Sequence, residues 1–139
     1  MQKLDFSRLL IGHAQRSMVF CGSTVVSRKL WLASVEQRAA EDNFAVNRID
    51  LQGFTAKDPV ETVVELGKEA KFAQHPVCLL VDELQCWPDD SVIDLCAGIH
   101  RCNQLDFPII VFCTGDDKIL RKLGRLYSDS EKLFEYIHN

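Results

Sequence analysis

The sequence predicts an α/β fold, a three-layer αβα sandwich built round a mainly parallel five-stranded sheet. Two runs, Val77 to Val81 and Ile109 to Cys113, are apolar throughout, as strands covered on both faces must be. Helical patterns separate the apolar runs from one end of the chain to the other. The residues that follow the runs are glycine or polar, which suits the crevice at the carboxyl ends of parallel strands, where such sheets bind ligands.

The elements follow in order. Ser17-Met18-Val19-Phe20-Cys21 is a short strand ending at Gly22. Helical periodicity is expected from about Arg28 to Glu41, although Leu30, Trp31, Ala33, Ser34, Val35 and Arg38 mix faces. Ala45 to Leu51 reads as the second strand, with Gly53 as its stop, and a helix from Pro59 leads towards His75-Pro76. The buried run 77–81 ends in Asp82-Glu83. The cluster Asp89-Asp90-Ser91 is expected to cap a helix with Val92, Leu95, Cys96 and Ile99 at i, i+3, i+4 and i+7. Pro108 closes that unit before the second buried run, which stops at Thr114-Gly115. A helix from about Lys118 to Leu126 and an edge strand from Leu133 to Ile137 complete the set.

A chain of 139 residues, 47% apolar and 26% charged, is large enough to bury roughly two-thirds of its unfolded surface as one domain without disulfides. The expectation is a single domain over 1–139 with no C-terminal lid. The net charge of −4 gives no field that would attract nucleic acid or an anionic membrane non-specifically. No run is long and apolar enough for a signal peptide or spanning helix, so a cytoplasmic protein without a membrane partner is expected. Among the six cysteines, Cys21, Cys78 and Cys113 fall inside strands and read as reduced core residues. Cys86, Cys96, His100 and Cys102 match no structural-zinc spacing.

An apolar strand ending in Asp-Glu has the form of a Walker B element. There the first acid, Asp82, would hold a hydrated Mg²⁺, and the second, Glu83, would orient or deprotonate the attacking water. Thr114, closing the neighbouring buried strand, could touch a γ-phosphate or that water. The same three residues could instead form an acidic pocket for a metal or small molecule unrelated to nucleotides. Either acid could also be a plain solvated strand end, and Thr114 part of a turn.

The stretch Cys78-Leu79-Leu80-Val81-Asp82-Glu83-Leu84-Gln85, then Ile99 to Gln104 and Phe107 to Phe112, resembles the AAA+ branch of the P-loop ATPases. Within it, the sequence is similar to bacterial and archaeal ATPases of origin-recognition type, over about residues 17–137. The resemblance implies a P-loop NTPase-like core with Glu83 catalytic, Asp82 on Mg, and ATP and Mg as possible though not required cofactors. The phosphate-gripping loop departs from the family. Where a Walker A motif reads G-x-x-x-x-G-K-[ST], this chain reads Gly22-Ser23-Thr24-Val25-Val26-Ser27-Arg28-Lys29. Ser27 puts a Cβ where glycine lets the backbone wrap a phosphate. Arg28 is a planar fork in place of a compact ammonium. Lys29 stands where a hydroxyl should meet Mg²⁺. Near the last strand, where the family's arginine finger is expected, the chain offers Lys132.

Lys118, Arg121, Lys122 and Arg125 fall at i, i+3, i+4 and i+7, one helix face able to meet phosphates or an acidic partner, or simply to face water. Together these features predict a degenerate AAA+-like core, weak or non-hydrolysing, that serves as a nucleotide-binding, interaction or regulatory module beside another protein chain or ATPase assembly. The alternatives are a working Mg-ATP hydrolase in which Arg28 or Lys29 replaces the missing lysine, and the nucleotide-independent acidic site.

Overall fold

The computed structural model describes residues 17–50 and 59–138. Its elements are β1 (Ser17–Cys21), α1 (Val25–Glu41), β2 (Ala45–Ile49), α2 (Pro59–Ala73), β3 (Val77–Val81), a short 3₁₀ turn (Leu84–Cys86), α3 (Asp89–Gln104), β4 (Ile109–Gly115), α4 (Ile119–Leu126), α5 (Ser130–Leu133) and β5 (Phe134–His138). The expected sheet is present and wholly parallel, in the order β2-β3-β4-β1-β5. The two apolar runs are its middle and are neighbours, with Val81 opposite Cys113. Leu51 and Gly53 lie outside the described residues.

Strand alternation divides the core in two. Phe20, Cys78, Leu80, Ile110 and Phe112 face α1, where they meet Trp31, Leu32, Val35 and Ala39. Phe20 and Trp31 stack with ring centroids 5.0 Å apart and planes 9° from parallel. Val19, Leu79, Val81, Val111 and Cys113 face the other way, against α2, α3 and α4. Trp87 packs in this second core and is 4% exposed. Burial pushes the thiols of Cys78, Cys96 and Cys102 up to about 12 and that of Cys21 up to about 11, the last helped by Asp116. These thiols are therefore protonated and unreactive at neutral pH.

Several boundaries differ from those expected: β2 ends at Ile49, α4 begins at Ile119 with Lys118 as its cap, and β5 runs from Phe134 to His138 because Leu133 closes the short helix α5. α1 begins at Val25 rather than near Arg28 because Thr24, extended at φ −122°, caps it: the Ser27 N–H donates to Thr24 Oγ1 (3.1 Å). The two valines therefore lie in a first helical turn and not in a loop. Removing this cap by Thr24→Ala should lower stability by about 1 kcal/mol, read as a shifted urea midpoint at unchanged slope. α3 begins at Asp89, with Pro88 rather than an acid or serine at the cap and no side-chain capping bond. Asp89 and Asp90 instead occupy the first turn, where the helix dipole favours negative charge. β4 runs two residues further than expected, so Thr114 and Gly115 belong to the strand and not to a turn.

Candidate functional site

The parallel topology brings the ends of β1, β3 and β4 together, and with them Gly22, Asp82, Glu83 and Thr114. The Gly22 N–H donates to the Gly115 carbonyl at 3.1 Å, which ties the turn after β1 to the end of β4. The Thr114 hydroxyl, fully buried, donates to Asp82 Oδ1 at 2.8 Å and accepts the Glu83 N–H at 2.9 Å. One side chain thus holds both acids of the β3 tip.

Glu83 has left-handed backbone angles, φ 53° and ψ 56°, a conformation that costs a residue with a Cβ on the order of 1 kcal/mol. It directs the carboxylate towards α1. There Arg28 donates from Nε to Glu83 Oε2 (2.9 Å) and from Nη2 to Oε1 (3.1 Å), while its Nη1 donates to the Gly22 carbonyl (2.8 Å). Gln85 Nε2 adds a bond to Glu83 Oε2 at 2.8 Å. The Arg28 side chain is 7% exposed and that of Glu83 24%.

This is a fork-to-fork pair of the strong bidentate kind. Burial alone would push the Glu83 carboxyl up, but the hydrogen bonds from Arg28 and Gln85, with the charges of Arg28 and Lys29, hold it below the usual range. The Arg28 guanidinium is pushed up, first by its hydrogen bond to Glu83, against burial, and further by the charges of Glu83, Asp116 and Asp82. Gly22 is needed for this packing. A Cβ there would lie 2.8 Å from Arg28 Cγ, 2.8 Å from Phe20 Cε1 and 2.9 Å from Ser27 Oγ, closer than carbon and oxygen can stand.

Ser27 and Lys29 are not in the cluster. The Ser27 hydroxyl donates to the Thr24 carbonyl at 2.9 Å, and Lys29 is exposed. Two contributing residues have no role assigned from sequence: Gln85, two positions beyond Glu83 and bonded to its carboxylate, and Thr24, outside the cluster, which caps the helix that carries Arg28. The second carried the usual capping signal; the first carried none. Among the described residues no group of three or more His, Cys, Asp and Glu side chains could hold a metal ion. Cys96 and Cys102 point into the core, where Cys102 Sγ donates to the Val63 carbonyl at 3.6 Å, while Cys86 and His100 are exposed.

The basic stripe on α4 is split by its contacts. Lys122 donates to the carbonyls of Gln85 and Trp87 (3.2 and 2.5 Å), pinning the turn after Glu83, and Arg125 reaches Asp89 at 3.4 Å. Lys118 and Arg121 are exposed. No described helix is long and apolar enough to cross a membrane.

A five-stranded parallel sheet in this order, flanked by helices, is an α/β fold of the P-loop NTPase kind. No protein-family model matches the sequence, and no curated protein matches it. Solved structures match the fold. PCH-2 of C. elegans aligns with a TM-score of 0.63 at 15% identity over 96% of this chain and 39% of its own. The ORC2 protein of Aeropyrum pernix, in ADPNP–ADP complexes, aligns with a TM-score of 0.63 at 14% identity over 95% of this chain and 43% of its own. AMPPCP-bound DnaA from Aquifex aeolicus aligns with a TM-score of 0.53 at 16% identity over 95% of this chain and 44% of its own. The chain therefore spans about two-fifths of the length of the structures it matches. At these identities the likeness is one of fold.

Proposed function

We propose that this chain is a degenerate AAA+-like core in which its own Glu83 carboxylate takes the place of a bound phosphate on Arg28, and that it acts as a non-hydrolysing interaction or regulatory module beside another protein chain. The single observation behind this reading is the bidentate grip of Arg28 on Glu83, closed by the Gly22 carbonyl. In a working site the second acid faces water and the cation faces the triphosphate. Here each is already satisfied by the other.

The start of α1 at Val25 supports the same reading. Five of the eight positions of the octet, Val25 to Lys29, lie within α1 rather than in an open cradle, and the Ser27 N–H is used by Thr24. Lys29, exposed and cationic, is no ligand for Mg²⁺. The residues as they stand do not fit a magnesium triphosphate, and no hydrolytic step is assigned to them. Val26 and Leu30, 67% and 66% exposed one turn apart on α1 beside the cluster, offer apolar contact to a partner chain. Single exposed apolar residues are ordinary; a pair next to the strand tips suits a docking role better.

Nucleotide titration tests the proposal. With about 1 mM Mg-ATP the thermal midpoint should move by less than about 1 °C. A dissociation constant near 10 µM would stabilise the domain by about 2.7 kcal/mol and raise the midpoint by several degrees. That result, with phosphate release abolished by Glu83→Gln, overturns the proposal in favour of a working hydrolase using Arg28 or Lys29. The hydrolase reading draws on one observation, the Thr114–Asp82 hydrogen bond, which holds the first acid ready at the strand tip.

A further inference from the structure

A second charged hollow, of about 480 Å³, lies between the start of α3 and α4 and shares no residue with the Arg28–Glu83 cluster. Asp89, Asp117, Lys118, Arg121, Lys122 and Arg125 line it. Every lining residue is ionisable, four cationic against two anionic, so the hollow is locally positive on a chain whose net charge is −4.

Its cations are not equivalent. Lys122 is committed to the carbonyls of Gln85 and Trp87 and lies 3.9 Å from Asp89, and Arg125 is turned to Asp89. Among the described residues, the Lys118 ammonium and the Arg121 guanidinium have neither hydrogen bond nor ion pair. Like charges three positions apart on a helix repel, and an anion held between them would relieve that repulsion.

The geometry points to a compact, multivalent phosphate anion of the diphosphate class bound in this hollow by Lys118 and Arg121. The planar guanidinium takes two oxygens of one phosphate, and the ammonium serves the second as a point charge. Lys122 and Arg125 add longer-range attraction without giving up their present partners. A single carboxylate would satisfy only one of the two free cations. Asp89 and Asp117 line the same hollow and interrupt its basic surface, which suits a compact anion held at one point better than a nucleic-acid strand that needs a continuous basic track. The diphosphate can be inorganic or the tail of a nucleotide.

The test is a titration of the ¹⁵N-labelled chain with pyrophosphate at constant ionic strength, and in parallel with ADP, followed by amide shifts. Saturable shifts across residues 117–125 are expected, and Lys118→Ala or Arg121→Ala should each weaken binding by about tenfold with the melting temperature unchanged, since both side chains are exposed. Tighter binding of ADP at the same amides supports a nucleotide source; equal or weaker binding supports inorganic diphosphate. Linear, non-saturating shifts, shifts confined to residues 22–29 and 83, or affinity untouched by both variants would each overturn the proposal.

Discussion

Replacing Arg28 with alanine is expected to lower the unfolding free energy by about 3 kcal/mol and the melting temperature by roughly 10 °C. The reasoning starts from what is left behind. The substitution removes both donors to the Glu83 carboxylate and the donor to the Gly22 carbonyl, and the remaining charge keeps only the weak help of Gln85. Breaking one side of a buried pair costs about 3–5 kcal/mol. The lower end applies because the Glu83 side chain retains 24% exposure and can recruit water. Arg28→Lys should recover part of the loss, since an ammonium keeps the charge but cannot meet two carboxylate oxygens and a carbonyl in one plane. Urea unfolding at neutral pH measures both. A loss below about 1 kcal/mol for the alanine variant would mean that the pair behaves as an exposed salt bridge, and the proposal of a self-occupied site would lose its physical basis.

Glu83→Gln should cost about 2 kcal/mol at neutral pH, and the cost should shrink in acid. Glutamine preserves the shape and one acceptor but leaves Arg28 buried without its closest counter-charge. The carboxyl of Glu83 is pushed up by burial and pulled further down by its hydrogen bonds to Arg28 and Gln85 and by the charges of Arg28 and Lys29, ending below the usual range. Its contribution is therefore complete above the unfolded carboxyl value, about 4.3, and is lost as pH falls through the lower folded value. Because the Arg28 pKa is raised, that partner stays charged throughout and adds no second window. The stabilities of the wild type and the Gln variant, measured by urea unfolding between about pH 3 and 7, should draw together as the pH falls below the unfolded carboxyl value. A gap that stays constant with pH would show that the loss is steric rather than ionic. Neither result depends on whether a nucleotide ever binds.

The contrast between what could and could not be read from the residues is clearest at the strand tips. β1 and β3 have the predicted ends, because continuous apolar runs bounded by Gly22 and by Asp82 leave little choice of register. That Thr114 would lie beside Asp82 also followed, since two doubly buried runs belong side by side at the middle of a parallel sheet. The mixed faces of α1 were a true signal. Leu30 is exposed while Trp31, Leu32, Val35 and Ala39 are buried, so an apolar residue facing solvent blurred the helical period. The octet Gly22 to Lys29 has the form of a phosphate-gripping loop, which puts the expected helix start at Arg28, whereas the Thr24 cap extends the helix back over Val25 and Val26.

The residues alone determined that this chain forms a parallel α/β sheet, that two acids stand at the end of its third strand, and that four cations share one face of α4. These follow from apolar runs and from the spacing of residues a few positions apart. Tertiary structure decided that Arg28 turns inwards onto Glu83, and that Lys122 and Arg125 are engaged while Lys118 and Arg121 stay free. Arg28 and Glu83 are 55 positions apart. Their meeting depends on β1 and β3 ending on the same side of one sheet, on the left-handed turn at Glu83, and on a glycine at 22 that leaves room for the arginine stem. Each of these conditions is set by packing between elements distant along the chain, which local periodicity does not encode.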